Sequence, residues 1–546
     1  MQIYKSSAGY FINKCSNDSV IRRGSCYLLL NLQANRSGMI GEKQIRSALI
    51  SVYDKTGLDA LARTLDELGV TIYSTGGTQS YLESLGIAVE AVEDLTGYPS
   101  ILGGRVKTLH PKVFGGILGR RELQEDIAQL ETFGIPEIDL VVVDLYPFEA
   151  TLASGASHDE VIEKIDIGGI SLIRAAAKNY QNVVIIPSKA QYSVLSEILH
   201  NAGKSSLEQR KSLSSSAFMV SSHYDSQIFA YFDDGAGTAF RASFEPVRTL
   251  RYGENPHQKG WYFGDLNAIL KQVHGKEISF NNLLDVDAAV RLMEEFKNSA
   301  PTFAILKHTN ACGLASRNSL PLAFEAALAA DPVSAFGGVL IANRDIDPGT
   351  ANAINELFCE VVIAPGYHPD ALSILSSKKN RVLMVRKEID LPTRTFRSAL
   401  NGVLVQEQDK SMEISSQWDL ATESAASENE QKDLEFALKL AKHTKSNTIV
   451  LAKNQQLCAS GTGQTSRVDA LKQAIEKAKA FNFDLNGAVM ASDAFFPFPD
   501  CVEIAFNAGI KAVVQPGGSM RDQESTDFCN SKEMAMYLSG VRHFRH

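Results

Sequence analysis

The chain has 546 residues, 44% apolar and 21% charged, enough for two or three cores of ordinary globular composition. Its formal net charge is −9 with no long basic block, so no nucleic-acid groove is advertised, and no run approaches the roughly 18 apolar residues of a membrane helix. The seven cysteines are scattered, odd in number and without a C-x-x-C pair, which argues against a disulfide framework or structural zinc and for a reducing cytoplasm.

Residues 1–38 hold five Lys/Arg and one acid, Asp18. That composition fits an organelle transit segment or an upstream extension before Met39, and the segment is expected to be disordered or foreign to the native chain. From Ile45 to about Pro187 strand and helix patterns alternate. Strands are predicted over Gln44–Val52, Val70–Tyr73, Ile138–Asp144 and Asn182–Pro187, with an amphipathic helix over Gly57–Leu68. Such alternation indicates βαβ units and a mostly parallel sheet, with ligands beyond the carboxyl ends of its strands. A helical region follows to Phe232, and Asp233–Thr238 reads as a boundary, giving domains over 39–235 and 245–546. The second half again mixes short apolar strands (Phe303–Leu306, Gly338–Ala342, Thr448–Ala452, Gly487–Ala491, Ala512–Gln515) with helices. Its polar stretch 410–432 reads as a linker between two similar α/β lobes, although no internal repeat is visible by eye.

In the first half, Ser51-Val-Tyr-Asp-Lys-Thr-Gly57 and Ser74-Thr-Gly-Gly-Thr78 each follow a strand and precede a helix, where backbone N–H groups suit either a phosphate or a simple glycine turn. Neither has P-loop spacing. Gly103-Gly-Arg-Val-Lys-Thr-Leu-His-Pro111 points to an anion or catalytic site, because a solvated face needs no glycines and a core rejects the charges. Asp144-Leu-Tyr-Pro-Phe148 and Ile165-Asp-Ile-Gly-Gly169 come next, and the latter enters a helix that places Arg174 and Lys178 on one face. Like charges there call for an acid or a ligand between them, or else the face is merely solvated.

In the second half, Arg251-Tyr-Gly-Glu-Asn-Pro-His-Gln258 gathers charge and imidazole, and Lys307-His308 directly follows a strand and precedes an Asn-x-Cys-Gly turn. An imidazole that accepts a proton beside an ammonium that stabilises negative charge is a catalytic pairing. Ser334–Gly338, Lys445–Asn447, Gly461–Arg467, Asp493–Asp500, Gln515–Ser519 and the terminal Arg542-His-Phe-Arg-His546 follow. Phe495, Phe496 and Phe498 read either as core or, among two acids and two prolines, as the wall of a flat-ring pocket.

Together GRVKTLHP, IDIGG…RAAAKN, RYGENPHQ, LKH, GTGQTSR, SDAFFPF and RHFRH resemble the AICAR transformylase/IMP cyclohydrolase family, in order and spacing, from about Gln44 to His546. The resemblance implies an α/β chain. Its first domain would be a doubly wound, methylglyoxal-synthase-like cyclohydrolase, and its second a transformylase of two cytidine-deaminase-like lobes. Formyl from 10-formyltetrahydrofolate would pass to AICAR, and formyl-AICAR would close to IMP. No metal is required, and the deaminase zinc signature H-x-E…P-C-x-x-C is absent. A cytoplasmic homodimer without nucleic-acid or membrane partners is implied.

By the same resemblance Lys178 handles the proton of cyclisation with Lys107, Tyr146 and Asp166 as close companions. Tyr53, Asp54, Lys55, Thr75, Gly76, Gly77, Thr78, Arg105, Thr108 and Asp144 surround that nucleotide. His308 is the base of formyl transfer and Lys307 its transition-state stabiliser. Arg251, Tyr252, Asn282, Gly337, Glu360, Asn447, Arg467, Phe495 and Arg542 surround AICAR, while Val468, Asp500, Ser519 and Met520 lie on the folate side. The chain departs from many members at Asp144, where Asn is common, at Ala311, where many bacterial members have Pro, and at Glu360, where a shorter acid is common. An added carboxylate at 144 is expected to weaken nucleotide binding or alter local pKa values. Two rival readings remain: a binding module without chemistry, and an enzyme that formylates but no longer cyclises.

Overall fold

A computed structural model describes residues 41–411 and 414–546, so the extension over 1–38 and Met39 lie outside the described residues. The chain divides into two compact units, one through Ser243 and one from Phe244.

The first unit is built on a five-stranded parallel sheet in the order Glu90–Ala91, Thr71–Ser74, Ser47–Ser51, Leu140–Val143, Val184–Ile186. Its inner strands are apolar on both faces, as helices on both sides of a sheet demand. The chain starts in the middle strand, winds outward one way and then returns to the other side. The topological switch point therefore falls between the ends of Ser47–Ser51 and Leu140–Val143, where an open α/β sheet leaves a crevice. The strand expected over Gln44–Val52 is broken in two. Lys43–Gln44 pairs antiparallel with Lys204–Ser205, and the Ile45 amide is taken by the Gly203 carbonyl at 2.9 Å before the sheet strand begins. That small ribbon also interrupts the region expected to be helical from Lys189 to Phe232.

The second unit holds two six-stranded sheets with one topology. The first runs Leu270–His274, Val382–Arg386, Val361–Ala364, Val339–Ala342, Thr302–Lys307, Asn310–Ser316, and the second Asp419–Leu420, Ala535–Leu538, Ala512–Gln515, Val489–Ser492, Ile449–Ala452, Leu457–Gly461. In each, three parallel central strands are flanked by an antiparallel edge strand on one side and an antiparallel hairpin on the other. Even the bulge recurs, between Ile305 and Leu306 in one hairpin and between Leu451 and Ala452 in the other. Helices Phe280–Glu294 and Glu428–Lys442 bring Val286, Val290, Leu434 and Ala441 into one core shared by both sheets. The polar stretch 410–432 is not an open linker throughout: Asp419–Leu420 joins the second sheet, and Ser427 and Glu430 form a capping box that starts a helix at Glu428. Its polarity was in part a helix-start signal.

Candidate functional sites

In the first unit the crevice is a cavity of about 980 Å³, lined among others by Ser51, Tyr53, Lys55, Thr75, Gly77, Thr78, Arg105, Lys107, Thr108, Asp144, Tyr146, Asp166 and Gly168. Local chemistry fixes each wall. Thr78 locks the two strand ends together, accepting from the Val52 amide at 3.1 Å and donating to the Val52 carbonyl at 2.9 Å. Lys107 folds back over the glycines. A Cβ on Gly104 would lie 2.3 Å from its Cε, and one on Gly76 2.8 Å from its Nζ. Gly169 is required likewise, because its amide donates to Asp166 Oδ1 at 2.6 Å and a Cβ there would strike that carboxylate. Helix Gly168–Lys178 thus opens on the cavity, with the Asp166 carboxylate capping the amides of Gly169 and Ile170 at its positive N-terminus.

Asp144 uses both carboxylate oxygens on the backbone, accepting from the Tyr53 amide and, at 2.9 Å, from the Asp54 amide. Burial raises its pKa, and these two amides and Lys55 oppose the rise. The amides of Val52, Tyr53, Asp54 and Thr56 are therefore spent internally, and the first turn of helix Gly76–Ser84 opens on the same crevice. Burial likewise raises Asp166, against the amides of Gly169, Tyr146 and Ile170. Burial, then Asp166 and Asp144, pushes the Tyr146 phenol up.

Three expected residues stay off the cavity lining. Asp54 turns to Lys189 and the Thr56 amide, which hold its carboxyl far below the usual range, and Gly76 lies beneath Lys107. Lys178 is not brought together with Lys107, Tyr146 and Asp166. It ends the helix that Gly168 begins, about 15 Å away along the axis. Among the described residues the pocket that both Arg174 and Lys178 line holds no acid, and the Arg174 guanidinium donates to Ser221 Oγ at 3.2 Å and stacks on Phe218. Lys164 was missed by sequence reasoning. It lines the cavity with its ammonium 5.7 Å from the ring centres of both Tyr53 and Tyr146, but a lone lysine beside IDIGG gives no readable signal.

In the second unit Lys307 and His308 stand at the tip of the first lobe's hairpin. The turn is His308-Thr309 itself, both with positive φ (49° and 65°), and Asn310–Ser316 is already strand. The expected Asn-x-Cys-Gly turn is thus incorrect: Cys312 and Gly313 lie in the bulged strand and are held by its ladder. Lys307 Nζ donates to the Phe336 carbonyl at 2.6 Å, beside Gly337, whose φ of 71° and lack of Cβ leave room for it.

The second lobe supplies a hydrogen-bonded group around Arg467. Its Nη2 donates to Asp493 Oδ1 at 2.8 Å and to Asn447 Oδ1 at 3.0 Å, and its Nη1 to the Phe495 carbonyl at 3.1 Å. The C-terminal segment is tied to the same place, with the His543 amide on the Asp493 carbonyl and the Arg545 amide on Ser446 Oγ, each at 3.0 Å. Asn310 joins the two lobes. Its Nδ2 donates to the His308 carbonyl at 2.8 Å, and its Oδ1 accepts from the Lys445 amide at 3.0 Å.

Other expected residues are placed less tightly. Arg251 stacks on Tyr252, Asn282 accepts from Ser279 Oγ, Glu360 pairs with Lys276 at 2.6 Å and Arg542 lies over Phe544. Val468 opens the helix Arg467–Ala480, Asp500 keeps a buried unpartnered Oδ1, Ser519 accepts from the Arg521 amide and Met520 is wholly exposed. Phe495 and Phe498 are exposed, but Phe496 belongs to the core, so only two of the three rings can line a pocket. Among the described residues no group of three or more His, Cys, Asp and Glu side chains could hold a metal ion, and no helix is long and apolar enough to cross a membrane.

Residues 176–477 match the family described as AICARFT/IMPCHase bienzyme, and residues 57–171 match the MGS-like domain. The chain is similar to a protein of Bacteroides thetaiotaomicron described as bifunctional purine biosynthesis protein PurH, 62% identical over 93% of this chain and 100% of that one. Proteins of the same description from Acetivibrio thermocellus and Aquifex aeolicus are 46% and 47% identical, over 92% and 91% of this chain and 100% of each of theirs.

Proposed function

The chain belongs to the AICARFT/IMPCHase bienzyme family, and from that premise we propose how its residues divide two consecutive reactions. It is a bifunctional enzyme of purine biosynthesis, an AICAR formyltransferase joined to an IMP cyclohydrolase, with an MGS-like first domain.

Formyl transfer belongs to the second unit. The formyl donor is 10-formyltetrahydrofolate. The exocyclic amine of AICAR is a poor nucleophile, because its lone pair is delocalised into the ring and carboxamide. His308 takes the amine proton as nitrogen attacks the formyl carbon. Lys307 stabilises the tetrahedral oxyanion, and the folate nitrogen leaves with a proton. The observation that carries this reading is the pair at the hairpin tip, with the Lys307 ammonium fixed by one carbonyl and two of its three donors left to spare. Arg467, Asn447 and Phe495 hold the nucleotide with Arg251, Tyr252, Asn282, Gly337, Glu360 and Arg542, and Val468, Asp500, Ser519 and Met520 face the folate.

Cyclisation belongs to the cavity of the first unit. The carboxamide nitrogen attacks the formyl carbon and water is lost, so the site orients two groups of one molecule. The phosphate rests on the start of helix Gly76–Ser84 near Arg105, and Lys107, with the Gly168 amide beside it, polarises the formyl oxygen. Tyr146 and Asp166 stand beside the moving proton. Lys178 lies outside its own chain's cavity and serves ring closure only by reaching a second copy, in keeping with a homodimer.

The test is to supply AICAR and 10-formyltetrahydrofolate without added metal and resolve the products. IMP and tetrahydrofolate in equal amounts support both assignments. Formyl-AICAR that closes to IMP no faster than without enzyme removes the cyclohydrolase assignment, and the absence of both formyl-AICAR and IMP restores the binding-module reading.

A further inference from the structure

We propose that Asp285 is a positioning residue for formyl transfer: its carboxylate clamps the His308–Thr309 turn in the backbone shape from which the imidazole acts. The inference rests on the reading of His308 as the base.

A two-residue hairpin loop with positive φ at both positions normally draws on Asn and Gly, because a larger or branched side chain crowds the backbone there. Here the loop is His-Thr, at φ 49° and 65°, and Thr309 is β-branched. The sequence of the loop does not favour its own shape, so something outside the loop must hold it. The Thr309 amide donates to Asp285 Oδ1 at 2.6 Å, from a helix that packs under the hairpin. Burial raises the pKa of Asp285, and the Thr309 amide, the His308 imidazole and Lys307 pull it back down. The carboxylate thus lies close enough to both functional side chains to feel their charge, while its bond goes to the backbone.

The second lobe repeats the device. Asp433 is the sixth residue of Glu428–Lys442, as Asp285 is of Phe280–Glu294. It accepts the amides of Asn454 at 2.7 Å and Gln455 at 2.5 Å, and those residues form the matching turn at φ 53° and 51°. There the first loop position is Asn, which tolerates positive φ. In the first lobe the same position carries a histidine followed by the β-branched Thr309, the residue least suited to positive φ, and the clamp on its amide holds the pair in the turn.

The test uses the full chain and follows both activities in Asp285→Ala, Asp285→Asn and each of these combined with Thr309→Gly. Asp285→Ala is expected to lower kcat of formyl transfer about 10²-fold, with KM for AICAR and for the folate within about threefold, as displacement of a reacting group does. Asp285→Asn keeps an acceptor and is expected to lose about tenfold. Glycine at 309 adopts positive φ freely and is expected to restore about tenfold to either variant, which a merely structural lesion would not show. Closure of added formyl-AICAR should stay at the parent rate throughout. Transfer at the parent rate in Asp285→Ala, a rise in KM at unchanged kcat, or a loss that glycine does not relieve would each overturn the proposal. Should Asp285→Ala fail to fold, the Asp285→Asn pair decides by the same criteria. A parent enzyme without formyl transfer overturns the reading of His308 and this inference with it; an active parent with an indifferent Asp285→Ala overturns the inference alone.

Discussion

The two lobes of the second unit share strand order, a bulge, a clamped hairpin turn and a lysine at its base, yet only one turn carries a histidine. Lys307 donates to the Phe336 carbonyl at 2.6 Å, and its counterpart Lys453 donates to the Asn486 carbonyl, also at 2.6 Å. Each of those carbonyls lies in the loop before the neighbouring strand. The scaffold of the Lys307–His308 tip is therefore common to both lobes, and the chemistry proposed for it depends on the histidine that stands where the second lobe has Asn454. In the second lobe the tip does structural duty instead: the Gln455 carbonyl accepts the Ser316 amide at 3.0 Å, stitching the sheets edge to edge.

The strongest way to break this comparison is to make the tips alike. His308→Asn places a residue suited to positive φ in the turn, so the thermal transition of the second unit should hold or rise while formyl transfer falls about 10²–10⁴-fold. Steady-state kinetics beside thermal unfolding would check both halves. The first unit serves as the control, with its own large effect. Lys107→Met should slow closure of formyl-AICAR about 10²-fold and leave formyl transfer within threefold of the parent, measured on each substrate separately.

Asp433→Ala sharpens the contrast with Asp285. Loss of an acceptor for two amides should destabilise the second unit by about 1–3 kcal/mol in denaturant titration, without moving kcat of formyl transfer beyond threefold. The smallest effect concerns Asp144. Burial raises its folded-state pKa above the unfolded value, so the native state binds this proton more tightly. That contribution to stability is present below the unfolded pKa and is lost as pH rises through the folded one. The change in Tm caused by Asp144→Asn should therefore become more favourable to the variant as pH rises above the ordinary carboxylate range of about pH 4. A pH-independent difference would mean that the two amide contacts, rather than the charge, set the effect.

The alternation of apolar strands and helices in the first half was readable because parallel strands buried on both faces leave continuous runs such as Leu140–Val143. The glycine clusters were readable as more than a solvated face, and their physical reason is that Lys107 lies where Cβ atoms on Gly76 and Gly104 would be, at the edge of the crevice. What could not be read depends on contacts distant in sequence. Asp285 and Thr309 are 24 residues apart, and an Asp on an amphipathic helix looks like solvent-facing charge. The repeat of lobes was invisible because it is kept in strand direction and register and in only a few scattered residues, such as Asp285 with Asp433 and Lys307 with Lys453. Phe496 misled because an aromatic run gives no sign of which ring turns inward.

Asn310 gives and takes with the two ends of one amide, toward the His308 carbonyl and from the Lys445 amide. A carboxylate offers no hydrogen to the first partner, an ammonium no lone pair to the second, and an apolar chain neither. The tie between the His308–Thr309 turn and the loop that carries Asn447 and reaches Arg467 thus hangs on a functional group with no substitute of equal size among the other side chains. A register error of a single atom type at this position would detach chemistry from grip while leaving both halves intact.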